Sequence, residues 1–318
     1  MNKQGTTLKA LLVPAAILVS IYSVQAQQTA ISTVVPVKMT VTASVASGKR
    51  MPEIKREDLI VKQGSGRLQV TQWAPARGDR AGLDLFILID DASNATSLGS
   101  QLEDLRTFIN AQAPTTSIGV GYMRNTTVQV VQDLTTDHAQ AAKALRLPME
   151  SAGAFGSPYL SLIDIMKRWP GHPNRREVLM VTDGIDRARG GPRFRLGINP
   201  DVNSAIDVAQ RTGTMIHTIY TPGVGRLARN FWEVTRGQNG IAQLSEETGG
   251  ESFFLGIQAP VSFKPYLDQL QDILENQYLL GFSAKPGDKA GLQYVSIDTE
   301  VAGVEFGAAD AVWVPAAK

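Results

Sequence analysis

The 318 residues contain no cysteine, so neither a disulfide nor a lipid carried on a cysteine can hold this chain, and its stability must come from its apolar core. An excess of one charge is missing too. The 31 Lys and Arg against 30 Asp and Glu leave a formal charge of +1, which gives no global field for nucleic acid or an anionic membrane. Histidine is scarce, and His138, His172 and His217 are scattered, with no HExxH and no pair at metal-ligand spacing. Structural roles are expected for all three. Neither a Gly-x-Ser-x-Gly elbow nor a Gly-x-x-x-x-Gly-Lys-Ser/Thr loop occurs, and the two-glycine turn Gly223-Val224-Gly225 is too short to mean nucleotide binding. No internal repeat is visible.

Long apolar runs are confined to the N-terminus, where Lys3 and Lys9 precede a stretch from Ala10 to Tyr22 that closes on Val24-Gln25-Ala26. This is the pattern of a secretory signal with small residues at the cleavage positions. The run contains Pro14 and falls short of the roughly 18 apolar residues a spanning helix needs. Cleavage after Ala26 is therefore expected, with export to the periplasm or beyond the cell and no membrane span in the mature chain.

Residues 27–82 carry strand and hairpin signals at 34–43, 58–62 and 67–73 and end in a polar linker at 74–82, which predicts a small N-terminal β module. From residue 83 to 282 strands alternate with helices. Strands are expected at 83–90, 117–123, 127–132, 177–182, 214–220 and 251–255, and helices over 98–109, 139–145, 159–169, 203–211, 241–248 and 265–277. The pair joined at Arg124-Asn125 reads as a hairpin. The class is α/β: a doubly wound, mostly parallel sheet with one antiparallel edge strand, flanked by small β segments. Residues 283–318 return to strand pattern and read as a C-terminal β extension.

The organising stretch is Leu83-Asp84-Leu85-Phe86-Ile87-Leu88-Ile89-Asp90-Asp91-Ala92-Ser93-Asn94. An apolar run without polar alternation reads as a strand buried on both faces, which sends the acids out at its carboxyl end, the edge where open α/β sheets bind ligands. A second such strand ends in Thr182-Asp183-Gly184, and Gly156-Ser157-Pro158 precedes a helix. Carboxylates on neighbouring strand ends, with hydroxyl and amide oxygens beside them, make a hard-oxygen set suited to Mg²⁺.

Together with the run from Leu244 to Phe254, which contains Thr248-Gly249-Gly250, these stretches resemble the von Willebrand factor type A (VWA) family over about residues 83–255. The flanks at 51–73 and the C-terminal hairpin look like those of exported bacterial members. The resemblance implies a metal-ion-dependent adhesion site of the form Asp-x-Ser-x-Ser, Thr, Asp. Asp90 takes the first place, Ala92 stands for one serine, Asn94 for the other, Ser157 for the threonine, and Asp183 matches the last acid. A register one residue later, Asp91-x-Ser93-x-Ala95, recovers one serine and loses the other. Asp90, Asn94, Ser157 and Asp183 could hold Mg²⁺, with Mn²⁺ as a substitute, and leave a position for a partner's carboxylate. Alternatively the two acids only cap strand–helix turns and the site is vestigial.

Around these acids, a partner-binding rim is expected from Asp91, Ser93, Arg187, Arg189, Arg193, Phe231 and Trp232. The arginines read either as a patch for an acidic or phosphorylated surface or as a solvated polar loop, the second being favoured. Phe231 and Trp232 read either as interface anchors or as the plug beneath a long loop over 221–240, and again the second is favoured. The function expected is a non-enzymatic, adhesion-type protein-binding module. The alternatives are a structural component of the cell envelope that uses its β flanks, and, least favoured, a metal-dependent hydrolase.

Overall fold

The computed structural model describes residues 34–149, 156–171, 173–188, 199–253, 256 and 258–316. In chain order the elements are β1 (Val35–Val45), β2 (Leu59–Gln63), β3 (Gly66–Arg67), β4 (Gln69–Pro75), β5 (Leu83–Asp90), α1 (Ala95–Leu98), α2 (Gln101–Asn110), β6 (Thr116–Arg124), β7 (Thr127–Thr135), α3 (His138–Lys143) and α4 (Pro158–Arg168). They continue with β8 (Arg175–Thr182), α5 (Pro200–Thr212), β9 (Thr214–Tyr220), α6 (Phe231–Glu247), β10 (Ser252–Phe253), α7 (Lys264–Glu275), β11 (Gln277–Ala284), β12 (Gly291–Thr299), β13 (Val304–Ala308) and β14 (Ala311–Val314). The expected signal segment lies outside the described residues.

All eight residues of β5 are buried, because both faces of its sheet are covered. Leu85, Ile87 and Ile89 pack with α2, α3 and α7 through Leu102, Leu105, Ala141 and Leu270. Phe86 and Leu88 pack on the opposite face with α4, α5 and α6 through Leu162, Ile206 and Ile241. A run covered on both sides needs no polar alternation. The sheet has the order β10-β9-β8-β5-β6-β7, parallel throughout except for the β6–β7 hairpin. That hairpin turns at Asn125 and Thr126, which take φ of 50° and 65°, the backbone of a tight primed turn that follows the strand twist. The chain leaves β5 for β6 on one side and returns to β8 on the other, so strand order reverses between β5 and β8. The doubly wound α/β class follows directly.

The other strands form two four-stranded sheets, β13-β1-β11-β4 and β14-β12-β2-β3, around one core that includes Val41, Leu280 and Phe282 from the first and Val61, Val312 and Val314 from the second. Segments that are far apart in the sequence therefore share sheets: β1 pairs with β11 and β13, and β2 with β12. Trp73 stacks on Tyr278 at 4.4 Å and donates its indole N–H to the Ile54 carbonyl at 3.0 Å.

The largest departure from the sequence expectation is the stretch 221–240. Half of it is helix, since α6 starts at Phe231 and not at 241. Asn230 caps it by accepting from the Trp232 and Glu233 N–H groups. Gly237 and Gly240 hide the helical pattern, and packing requires both. A Cβ on Gly237 would collide with the Asp183 carbonyl, and one on Gly240 with the Tyr159 hydroxyl.

Candidate functional site

Asp90 and Asp183 end up on adjacent strand ends. β5 and β8 are parallel neighbours in a register that pairs Ile89 with Val181, and Thr182 donates its hydroxyl to Asp90 Oδ2 at 2.8 Å. The Ala92 N–H donates to Asp90 Oδ1 at 2.9 Å. Burial above all, and then the Asp183 charge, pushes the Asp90 carboxyl up to about 6, against the pull of Arg187, the Ala92 N–H and the Thr182 hydroxyl. The same environment, burial first and Asp183 second, pushes Tyr220 up to about 12.

Asp183 is 1% exposed. Its Oδ1 accepts from the Ile185 N–H at 2.9 Å and from Arg187 Nη1 at 3.1 Å, while Arg187 Nη2 donates to Oδ2. The guanidinium thus lies fork-to-fork on the carboxylate. Its loop is fixed by the Arg187 N–H, which donates to the Gly156 carbonyl at 2.8 Å. Next to it, Ser157 caps α4 by accepting from the Leu160 N–H at 3.4 Å and hydrogen-bonds Asp186. Burial first, and then a hydrogen bond with the Asp201 carboxyl, raises the Asp186 pKa.

The loop after β9 closes this group from above. The Thr221 N–H donates to Thr182 O, Val224 N–H to Ala92 O and Asn94 N–H to Pro222 O, at 3.1, 3.0 and 3.0 Å, and Ser93 bridges to Gly223. Gly223 is required here, because a Cβ would overlap both Asp183 Oδ2 and Arg187 Nη2.

These positions correct several expectations. Asp91 and Ser93 are 1% exposed and form no part of an outer rim. Asp91, one residue after Asp90, points toward β6, where Arg146 grips it with Nη1 at 2.7 Å and Nη2 at 3.2 Å and the Met149 N–H adds a bond at 2.8 Å. The Ser93 hydroxyl is buried and has no hydrogen-bond partner among the described residues. The Arg187 side chain is 12% exposed and folds inward onto Asp183. Arg189 and Arg193 lie outside the described residues, as does His172. Phe231 and Trp232 are 61% and 74% exposed, so they plug nothing. Of the histidines, His138 bonds the Thr116 carbonyl at 2.8 Å and His217 bonds Glu177.

The candidate ligand set does not fit a divalent ion as it stands. Asn94 Oδ1 caps α1 by accepting from the Ser97 N–H at 2.9 Å, the Arg187 guanidinium lies on both Asp183 oxygens, and Ala92 supplies no side-chain oxygen. Mg²⁺ demands near-octahedral oxygen geometry and keeps several waters, for which a site with a guanidinium already inside it has no place.

Strand order, the antiparallel edge and acids on the two central strand ends agree with the family resemblance seen in the sequence. The α/β region has the doubly wound, mostly parallel sheet with one antiparallel edge that this resemblance implies. No family profile matches the chain, and no curated protein does. Among solved structures, the chain is similar to an aerotolerance-related membrane protein from Bacteroides fragilis at 13% identity, with 61% of this chain and 98% of that one covered and a TM-score of 0.41. The SpRpn10 VWA domain gives 14% identity, coverage of 59% and 94%, and a TM-score of 0.38. Human Sec24c, a COPII-coat protein, gives 8% identity, coverage of 77% and 44%, and a TM-score of 0.44.

Proposed function

We propose that this chain is an exported, non-enzymatic protein-binding module of the adhesion type, with its ligand face on the rim above the carboxyl edge of the parallel sheet. The observation that carries the reading is the exposed pair Phe231–Trp232, packed edge-to-face with centroids 5.7 Å apart where α6 rises from that rim. Large aromatics are the usual anchors of protein interfaces. Arg226 and Arg229 are exposed beside them and have no acidic partner among the described residues, so the fringe is cationic. Leu147 and Met149, 48% and 60% exposed, flank Asp91 on the same edge. An exposed aromatic pair with basic neighbours suits a protein partner that presents an acidic residue, and contact through surface complementarity requires no metal. Export is supported by the pattern from Lys3 to Ala26. Among the described residues, no helix is long and apolar enough to cross a membrane.

A photo-crosslinking side chain at position 232, in cells that make the full chain, tests this. The expected result is a crosslink to another protein, absent with the probe at Tyr294 on β12, which is 75% exposed. Tyr294 is also the observation that favours the second reading, an envelope component that assembles through its β segments. Crosslinks from 294 and none from 232 would select that reading.

A further inference from the structure

We propose that Arg187 is the resident cation of this site: its guanidinium takes the place a divalent ion would hold beside Asp90 and Asp183, and makes the site independent of metal. The geometry is that of a built site and not of a surface ion pair. Arg187 is anchored at its own N–H to Gly156, and its Nη1 donates to the Ile185 carbonyl at 3.3 Å as well as to Asp183. Asp183 is almost wholly buried and Arg187 nearly so.

Two features around the site belong with this cation. Ala92 withdraws an oxygen that a metal would use but a guanidinium does not need. Gly223 lets the β9 loop come down onto the ion pair, where an added Cβ would overlap Asp183 Oδ2 and Arg187 Nη2. A guanidinium brings one positive charge against two carboxylates, where Mg²⁺ would bring two. The Thr182 hydroxyl and the Ala92 and Ile185 N–H groups offset part of the shortfall.

The test uses the full chain and Mn²⁺ alone, followed by titration calorimetry and thermal unfolding. Wild type is expected to give no saturable heat and an unchanged Tm. The double variant Arg187→Ala with Ala92→Ser, which removes the cation and restores a ligand oxygen, is expected to bind Mn²⁺ saturably and to gain several degrees in Tm at excess metal. Adding Asp183→Asn should abolish that gain. If the double variant folds only when refolded with Mn²⁺, the proposal is equally supported. Saturable Mn²⁺ binding by wild type, lost in Asp183→Asn, would overturn it, and so would a folded double variant indifferent to Mn²⁺.

Discussion

Glu177 on β8 faces His217 on β9, with 2.9 Å between Oε2 and Nε2, and both side chains are essentially sealed from solvent. The Glu251 N–H donates to His217 Nδ1 at 3.1 Å, so the proton sits on Nε2 and points at the carboxylate. Burial works against the Glu177 charge, but the His217 hydrogen bond, with Arg175 and Gln277 beside it, overcomes burial and holds the pKa below the usual glutamate value. A depressed folded pKa stabilises above the unfolded value, about 4.3, and that stability is lost as pH falls through the lower folded value. Glu177→Gln should therefore flatten the acid limb of stability below about pH 4.3. It should also cost stability at neutral pH, because Arg175 is left buried without its acid. Urea midpoints measured against pH check this, and an acid limb parallel to that of wild type would refute it.

Asp91 makes a second prediction about burial. Arg146→Ala leaves a carboxylate that is 1% exposed with the Met149 N–H as its main support and removes the guanidinium stacked 3.7 Å over the Tyr122 ring. Removing one partner of a buried pair costs about 3 kcal/mol or more. Because the Arg146 side chain is 32% exposed, water can reach the vacated space and the lower end is expected. Asp91→Asn removes the charge with it and should cost less, about 1–2 kcal/mol. Urea denaturation ranks the two, and the reverse order would sink the account.

Gly237 separates intrinsic helix propensity from packing. Glycine to alanine within a helix ordinarily gains about 1 kcal/mol. At Gly237 the added methyl meets the Asp183 carbonyl and lies 3.1 Å from the Gly184 carbonyl carbon, both of them backbone, so nothing can rotate away. Gly237→Ala should therefore destabilise by about 2 kcal/mol and displace the Asp183 strand end. Asn239→Ala on the exposed face of α6 serves as the control and should stabilise slightly. Thermal unfolding of both decides it: a stabilised Gly237→Ala would mean that α6 does not press on the strand end.

These same residues show why some of the molecule is legible in its sequence and some is not. β5 is legible because burial on both faces leaves an unbroken apolar run, and the α/β winding follows from the alternation of such runs with helical spacing. α6 hides behind Gly237 and Gly240, whose reason is close packing against residues 50 or more positions away. Consecutive acids at a strand end part company, so Asp90 can join Asp183 only by sending Asp91 to Arg146, a partner 55 residues on that no local pattern announces. Arg187 reads as one of a run of surface arginines. The available signal was its spacing of four from Asp183, which a turn can close as readily as a helix.

The exposed aromatic pair discriminates between anchor and plug without any knowledge of the partner. If Phe231 and Trp232 were a plug, truncation would cost about 3–5 kcal/mol, as for buried aromatics. At 61% and 74% exposure they bury little in the free chain, and substitutions at such positions usually stay within about 0.5 kcal/mol. Phe231→Ser and Trp232→Ser should thus leave the urea midpoint close to wild type. Truncating an interface anchor often costs 2 kcal/mol or more of binding, about 30-fold in affinity, so the same variants should release a partner captured at position 232. Loss of stability in either variant would place the pair in the core and remove the rim as the ligand face. Unchanged stability with loss of the partner would leave the rim as its binding surface.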